Sequence, residues 1–221
     1  MRGLVESRIT NHENMATAVK VCGITRPEDA LAAARAGAHA IGLVFYPGSP
    51  RFVTPGRASE IIRVLPPFVT TVGLFVDAQA DVVRATLLEA PVGLLQFHGD
   101  ETPEFCRQFK RPYIKAVRMR AGVDLLQYAR EYHDAKALLL DNFVEGLHGG
   151  SGVAFDWSLI PRGLPLPVIL SGGLTPENVM EAVRRVRPSA VDVSSGVESA
   201  KGVKDAAKIA AFIKGVRNAD V

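Results

Sequence analysis

One unit recurs along the 221-residue chain: a short apolar, β-branched run, a polar or glycine-bearing turn, then a stretch of helical spacing. The runs are AVKVC (18–22), HAIGLVF (39–45), VTTVGLFV (69–76), VGLLQF (92–97), YIKAV (113–117), ALLLD (137–141), PVILSG (167–172) and AVDVSS (190–195). Their starts lie about 25 residues apart, the length of a strand plus the crossover that a parallel neighbour requires. They are almost continuously apolar, as strands are when helices cover them. Eight βα units without an inserted domain predict an α/β fold, a single-domain (β/α)8 TIM barrel near its lower size limit. An open doubly wound sheet is the alternative. No G-x-G-x-x-G follows the first run, and the strand count argues for closure.

Helix punctuation agrees with this reading. Thr25-Arg26-Pro27-Glu28 reads as a capping box, with Thr25 as N-cap. Thr102-Pro103-Glu104 and Thr175-Pro176-Glu177 place proline at the first helical position after a threonine cap. Gly37 is the expected stop of the first helix. The barrel is assigned to residues 18–221. Residues 1–17 read as an N-terminal extension, expected to be disordered: MRGLVESRITNHEN is polar, lacks the apolar stretch of a secretory signal, and is followed by Met15 directly before ATAVKVC.

Composition removes several classes of function. No apolar run reaches the ~18 residues of a membrane span, so no membrane role is expected. The net charge of +3 is spread along the chain, and its densest cluster, RRVR (184–187), sits in a helical segment as a solvated face, so no nucleic-acid partner is expected. A mild positive excess suits a small anionic substrate. Two cysteines, Cys22 and Cys106, make no disulfide framework, and no Cys/His spacing resembles a zinc site. The expectation is a cytoplasmic protein with no metal and no cofactor, read as a monomer with a dimer as the alternative.

In a parallel barrel the chemistry sits at the C-terminal ends of the strands. There the first run ends at Cys22, the second leads into PGSPRF, the fourth into QFHGDE, the sixth ends at Asp141, and the last two end in SGG and DVSSG. Loops after the seventh and eighth strands are the usual phosphate position, and glycine lets backbone N–H groups approach an anion. Gly172, Gly173, Ser194, Ser195 and Gly196 are therefore the phosphate-binding candidates. Asp141 emerges from the apolar ALLL, where desolvation would let it hold a proton near neutrality. Cys22 needs only modest help to act as a base, and the helix beginning three residues later offers some. Arg51, in a loop constrained by proline and glycine, presents a fork that suits a carboxylate. Gln96 and His98 are substrate contacts or groups standing behind them. Cys106, within EFCRQF, reads as packing, and HGGSG (148–152) as a glycine-rich loop able to close over a ligand.

The segments KVCGITRPEDA, GLVFYPGSPRFVTP, GLFVD, LLQFHGDE, LLLD with HGGSG, ILSGGLTPENV and DVSSGVE occur in an order that resembles the phosphoribosylanthranilate isomerases of tryptophan biosynthesis, from Val19 to Val216. Departures are mild: SGG for AGG, HGGSG for GGTG, QFHG for QLHG. The resemblance implies a cofactor-free Amadori rearrangement of N-(5-phosphoribosyl)anthranilate to 1-(2-carboxyphenylamino)-1-deoxyribulose 5-phosphate. It implies Asp141 as general acid, Cys22 as general base, Arg51 on the anthranilate carboxylate, and Asp192 at a sugar hydroxyl. A different phosphosugar barrel, such as an indole-glycerol-phosphate synthase with Lys20 or Lys115 as its lysine, or a non-catalytic phosphate sensor, are the competing readings.

Overall fold

The computed structural model describes residues 16–142 and 155–219. Its parallel strands are β1 (Ala18–Val21), β2 (Ala40–Val44), β3 (Thr70–Phe75), β4 (Leu94–Phe97), β5 (Tyr113–Met119), β6 (Ala137–Asn142), β7 (Val168–Leu170) and β8 (Ala190–Val193). Each pairs with the next, and β8 returns to β1 with Lys20 opposite Asp192, so the barrel is closed. Closure disposes of the open-sheet alternative and leaves none of these eight strands at an edge. Outside it lie α1 (Pro27–Ala36), α2 (Pro55–Arg63), α3 (Ala80–Glu89), α4 (Pro103–Arg107), α5 (Leu125–Glu131), α6 (Val179–Val186) and α7 (Ala206–Ala219). The repeat departs from expectation after β6, where the described residues hold only a 3₁₀ turn at Trp157–Leu159. The HGGSG loop lies outside the described residues. After β8, a 3₁₀ turn (Ser195–Val197) and a hairpin of β9 (Glu198–Ala200) and β10 (Val203–Lys204) precede α7.

Successive strand residues face opposite sides of the wall, and this alternation makes two cores. Val19, Val21, Phe97, Val191 and Val193 face outward and pack on Ala33, Ile61, Val179 and Phe212 of the helices. Phe97 gathers Phe105, Phe109 and Tyr113 with ring centroids 5.7–6.0 Å away. Inside the barrel, Ile114, Ala116, Ala137, Leu139 and Ile169 fill one layer, and Cys22, Val44, Leu74 and Val76 another nearer the mouth. Each large apolar side chain so buried stabilises the fold by about 1.5–3 kcal/mol. The same alternation that sends Val19 and Val21 outward sends Lys20 and Cys22 inward.

Two helix starts differ from the local reading. Thr25 does not cap α1; its hydroxyl donates to the Gly202 carbonyl 2.5 Å away, in the β9–β10 turn. Arg26 is the N-cap, without a side-chain cap, and its guanidinium instead pairs with Asp29 (Nη2–Oδ1 2.6 Å). The hydroxyl is turned toward a distant carbonyl and makes no local cap bond. Thr175 does not directly precede α6, although its hydroxyl accepts from the Glu177 N–H (3.3 Å). Its N–H donates to Asn178 Oδ1 (2.8 Å), the Asn178 amide donates to the Gly173 carbonyl (2.9 Å), and the helix begins only after Asn178. Thr102 does cap α4, its hydroxyl accepting from the Phe105 N–H, and Gly37 ends α1 at φ 102°. Thr17, assigned to the extension, is buried, with its hydroxyl 3.5 Å from the Pro188 carbonyl.

Candidate active site

Cys22 and Asp141 lie at the same mouth, the one formed by the strand C-termini. Both are buried, at 5% exposure. The Cys22 N–H donates to the Val193 carbonyl (2.8 Å), which ties the end of β1 to the end of β8. One pocket joins Asp141, Gly172, Gly173, Asp192, Ser194 and Ser195. Gly196 does not line it: it sits where the two glycine loops touch, and a Cβ there would lie 2.0 Å from the Leu174 carbonyl oxygen. Gly172 must be glycine, because its φ is 80° and a Cβ would fall 2.4 Å from the Asn142 nitrogen and 2.8 Å from Asp141 Oδ1. The loop after β7 thereby lies directly against the carboxyl. Asn178, holding the Gly173 carbonyl, fixes that loop from behind.

Asp141 is held through both oxygens. Oδ1 accepts from the Asn142 N–H (2.9 Å), and Oδ2 lies 3.1 Å from His98 Nε2. Gln96 Nε2 lies 3.0 Å from His98 Nδ1. With the Gln96 amide donating, Nδ1 accepts, the ring hydrogen resides on Nε2, and His98 donates to Asp141. Gln96 is fully buried beneath His98, and its Oε1 finds no hydrogen-bond partner among the described residues. Period-two spacing on β4 puts both side chains on the inner face, one behind the other.

Arg51 is already engaged by a carboxylate of this chain. Nε donates to Glu198 Oε1 (2.7 Å) and Nη2 to Oε2 (2.8 Å). Lys204 Nζ donates to the same Oε1 (2.9 Å) and to the Ser194 carbonyl (3.0 Å), so the network reaches the loop after β8. Among the described residues Arg51 makes no hydrogen bond through Nη1, which leaves the end of the fork for a second carboxylate. Gly23 admits this arrangement: its φ is 72°, and a Cβ would lie 2.4 Å from Arg51 Cδ.

Charge and burial compete at each group. Its hydrogen bond to Glu198 raises the Arg51 pKa. Burial would push the Glu198 carboxyl up, but Arg51 and Lys204 together hold it below the usual carboxylate value. Burial pulls the Lys204 ammonium down, further than Glu198 raises it. Burial pushes the Cys22 thiol up, with Lys20 and Lys204 opposing and Asp192 adding to the rise. Cys106, in α4, is pushed up to about 12, mainly by burial, as fits a packing role.

Sequence reading missed Glu198, Lys204 and Asn178. Glu198 ends DVSSGVE, and only the hairpin after β8 shows why it is there. Lys115, weighed as a catalytic lysine, faces outward, where its ammonium bonds Glu101 and the Gly99 carbonyl. Among the described residues no group of three or more His, Cys, Asp or Glu side chains is placed to hold a metal ion, and no helix is long and apolar enough to cross a membrane.

A family model for N-(5'-phosphoribosyl)anthranilate isomerase matches residues 19–215. The N-(5'-phosphoribosyl)anthranilate isomerase of Dechloromonas aromatica is 58% identical over 206 residues, 93% of this chain and 99% of that protein. The crystal structure of phosphoribosyl anthranilate isomerase from Thermotoga maritima is similar with a TM-score of 0.83 at 41% identity, covering 91% of this chain and 99% of that one. A phosphoribosyl anthranilate isomerase solved in complex with reduced 1-(o-carboxyphenylamino)-1-deoxyribulose 5-phosphate has a TM-score of 0.80 at 41% identity, with the same coverage.

Proposed function

From the premise that this chain belongs to the N-(5'-phosphoribosyl)anthranilate isomerase family and is an isomerase of tryptophan biosynthesis, we propose that Asp141 is its general acid and Cys22 its general base. The observation that carries the reading is the placement at one mouth: Asp141 stands in one cavity with both glycine loops, and Cys22, just outside that cavity's lining, ends β1 and is bonded to the end of β8. The ligand of the solved relative, a reduced 5-phosphate product, supplies the chemistry to be fitted.

The 5-phosphate is received by the loops after β7 and β8, where Gly172, Gly173, Ser194 and Ser195 present backbone N–H groups, with Gly196 keeping the loops in contact. The anthranilate carboxylate takes the free end of the Arg51 fork. Asp141 then gives its proton to the ribose ring oxygen, the bond from that oxygen to C1′ breaks, and a Schiff base forms. Cys22, as thiolate, removes the C2′ proton. The resulting enolamine tautomerises to the ketone, and proton exchange with solvent resets both groups. His98 orients Asp141 and Gln96 orients His98, so Gln96 acts without touching substrate. Asp192 meets a sugar hydroxyl.

A general acid or base is typically worth about 10²–10⁴-fold. Cys22→Ala and Asp141→Asn are each expected to lower kcat by about two orders of magnitude or more, in an assay that follows the loss of phosphoribosylanthranilate fluorescence. Near-wild-type turnover in either folded variant removes that residue from the mechanism.

A further inference from the structure

Lys20 is a buried cation to which the isomerisation just described gives no task. Its side chain is 5% exposed and lies inside the barrel. In the β1–β8 register it stands opposite Asp192, and it precedes Cys22 by two residues on the same face. Its Nζ lies 2.9 Å from Asp192 Oδ1, an ion pair without the alignment of a good hydrogen bond, and it interacts with Cys22 as well. Burying an ammonium costs several kcal/mol unless its donors are satisfied. A cation buried inside the barrel and held by a single carboxylate therefore demands an explanation.

The surroundings of Cys22 supply one. The charged groups that face the thiol are Lys20 on β1, Asp192 on β8, Lys204 on β10 and Arg51 in the loop after β2. The β2 and β3 walls contribute Gly42, Val44 and Leu74, none of them charged. Glu198 balances Arg51 and Lys204 from behind. With all three cations protonated they meet two carboxylates, and a Cys22 thiolate supplies the missing negative charge. Of the groups around Cys22 that favour its charged form, Lys20 acts most strongly. Lys20 itself stays protonated: burial pulls its ammonium down, but Asp192 and Cys22 more than offset this.

We propose that Lys20 is a positioning residue for the base, its ammonium anchored by Asp192 and serving as the counter-charge of the Cys22 thiolate. The assignment rests on Cys22 being the base. As the thiolate takes the C2′ proton and becomes neutral, the ammonium is left to Asp192 alone, and no proton leaves Lys20. Asp192 consequently opposes the thiolate by its own charge while holding in place the group that favours it.

The opposite signs of Lys20 and Asp192 make the test. In the full chain carrying Cys106→Ala, so that one thiol remains, the ¹³Cβ shift of labelled cysteine is followed against pH. Lys20→Met is expected to move the Cys22 midpoint upward, reducing thiolate at a given pH about tenfold or more. Asp192→Asn is expected to move it downward, and Lys20→Arg, which keeps the charge, to leave it near the parent value. An unmoved midpoint in folded Lys20→Met, or movement of Lys20→Met and Asp192→Asn in the same direction, overturns the proposal. Should Lys20→Met not fold, Asp192→Asn decides: a midpoint that fails to fall overturns it. A fall in kcat without movement of the midpoint marks Lys20 as merely structural. Undiminished turnover in Cys22→Ala would instead remove the base assignment, a result separate from the titration.

Discussion

Two buried lysine–carboxylate pairs, each 2.9 Å apart, lie on opposite sides of the barrel wall. Outside, Lys115 donates to Glu101 Oε2 and to the Gly99 carbonyl (2.6 Å), with the Tyr132 ring 5.7 Å away. Glu101 in turn accepts the N–H groups of Asp77 and Gly99. That network is satisfied, and it pins the turn from which His98 emerges. Inside, the Lys20–Asp192 pair is left unsaturated beside Cys22. Chemistry of the same kind serves structure where its hydrogen bonds are complete. The Lys20–Asp192 pair differs in lying beside Cys22, with its hydrogen-bond geometry less complete. The Arg51–Glu198 pair stands between the two: one side of the fork is filled and the end is open.

The contrast can be broken by experiment. The largest effect on stability is expected from Lys115→Met, which strands the Glu101 carboxylate in the protein interior. The loss is about 3–5 kcal/mol, seen in thermal unfolding as a fall of roughly 10 °C in Tm. Should Lys115→Met unfold no earlier than the parent protein, the structural role of that pair fails. Next, Arg51→Ala is expected to raise KM about tenfold or more, the worth of a charged hydrogen bond, with a smaller change in kcat. An unchanged KM reassigns the carboxylate contact. Glu198→Gln is expected to raise KM less than Arg51→Ala does, because the guanidinium remains but loses its anchor.

The pH dependence sharpens the same comparison. Burial has raised the Cys22 thiol, so the base form grows as pH rises. The acid limb of kcat/KM is expected above the pH of an ordinary thiol titration, and a limb below it contradicts the buried-thiolate account. The smallest effect concerns stability in acid. The Glu198 carboxyl is lowered in the fold, so its contribution is complete above the ordinary value of 4.5 and is lost as pH falls through the lowered one. Glu198→Gln is expected to flatten the acid unfolding curve below about pH 4.5 and leave it unchanged above.

Much of this molecule is legible along the chain because the signals are periodic and local. The recurrence of apolar runs dictates parallel strands and closure. The ends of those runs name Cys22, Asp141 and the two glycine loops, since a strand terminus is a position in sequence as well as in space. Period-two spacing already puts Lys20 on the side of Cys22, and Gln96 on the side of His98. Partners are another matter. Thr25 reads as a cap and bonds Gly202 instead; Thr175 reads as a cap and is itself tied to Asn178, where the helix starts; Arg51 reads as an open fork and is half filled by Glu198. A hydroxyl or a guanidinium bonds whichever acceptor the fold brings within 3 Å, and loop closure over 147 or 177 residues leaves no mark in a local pattern. The chain alone thus determined the barrel and which polar side chains stand at the ends of its strands. The tertiary structure decided which charges face one another across it, because Coulombic energy depends on distance and burial rather than on order along the chain.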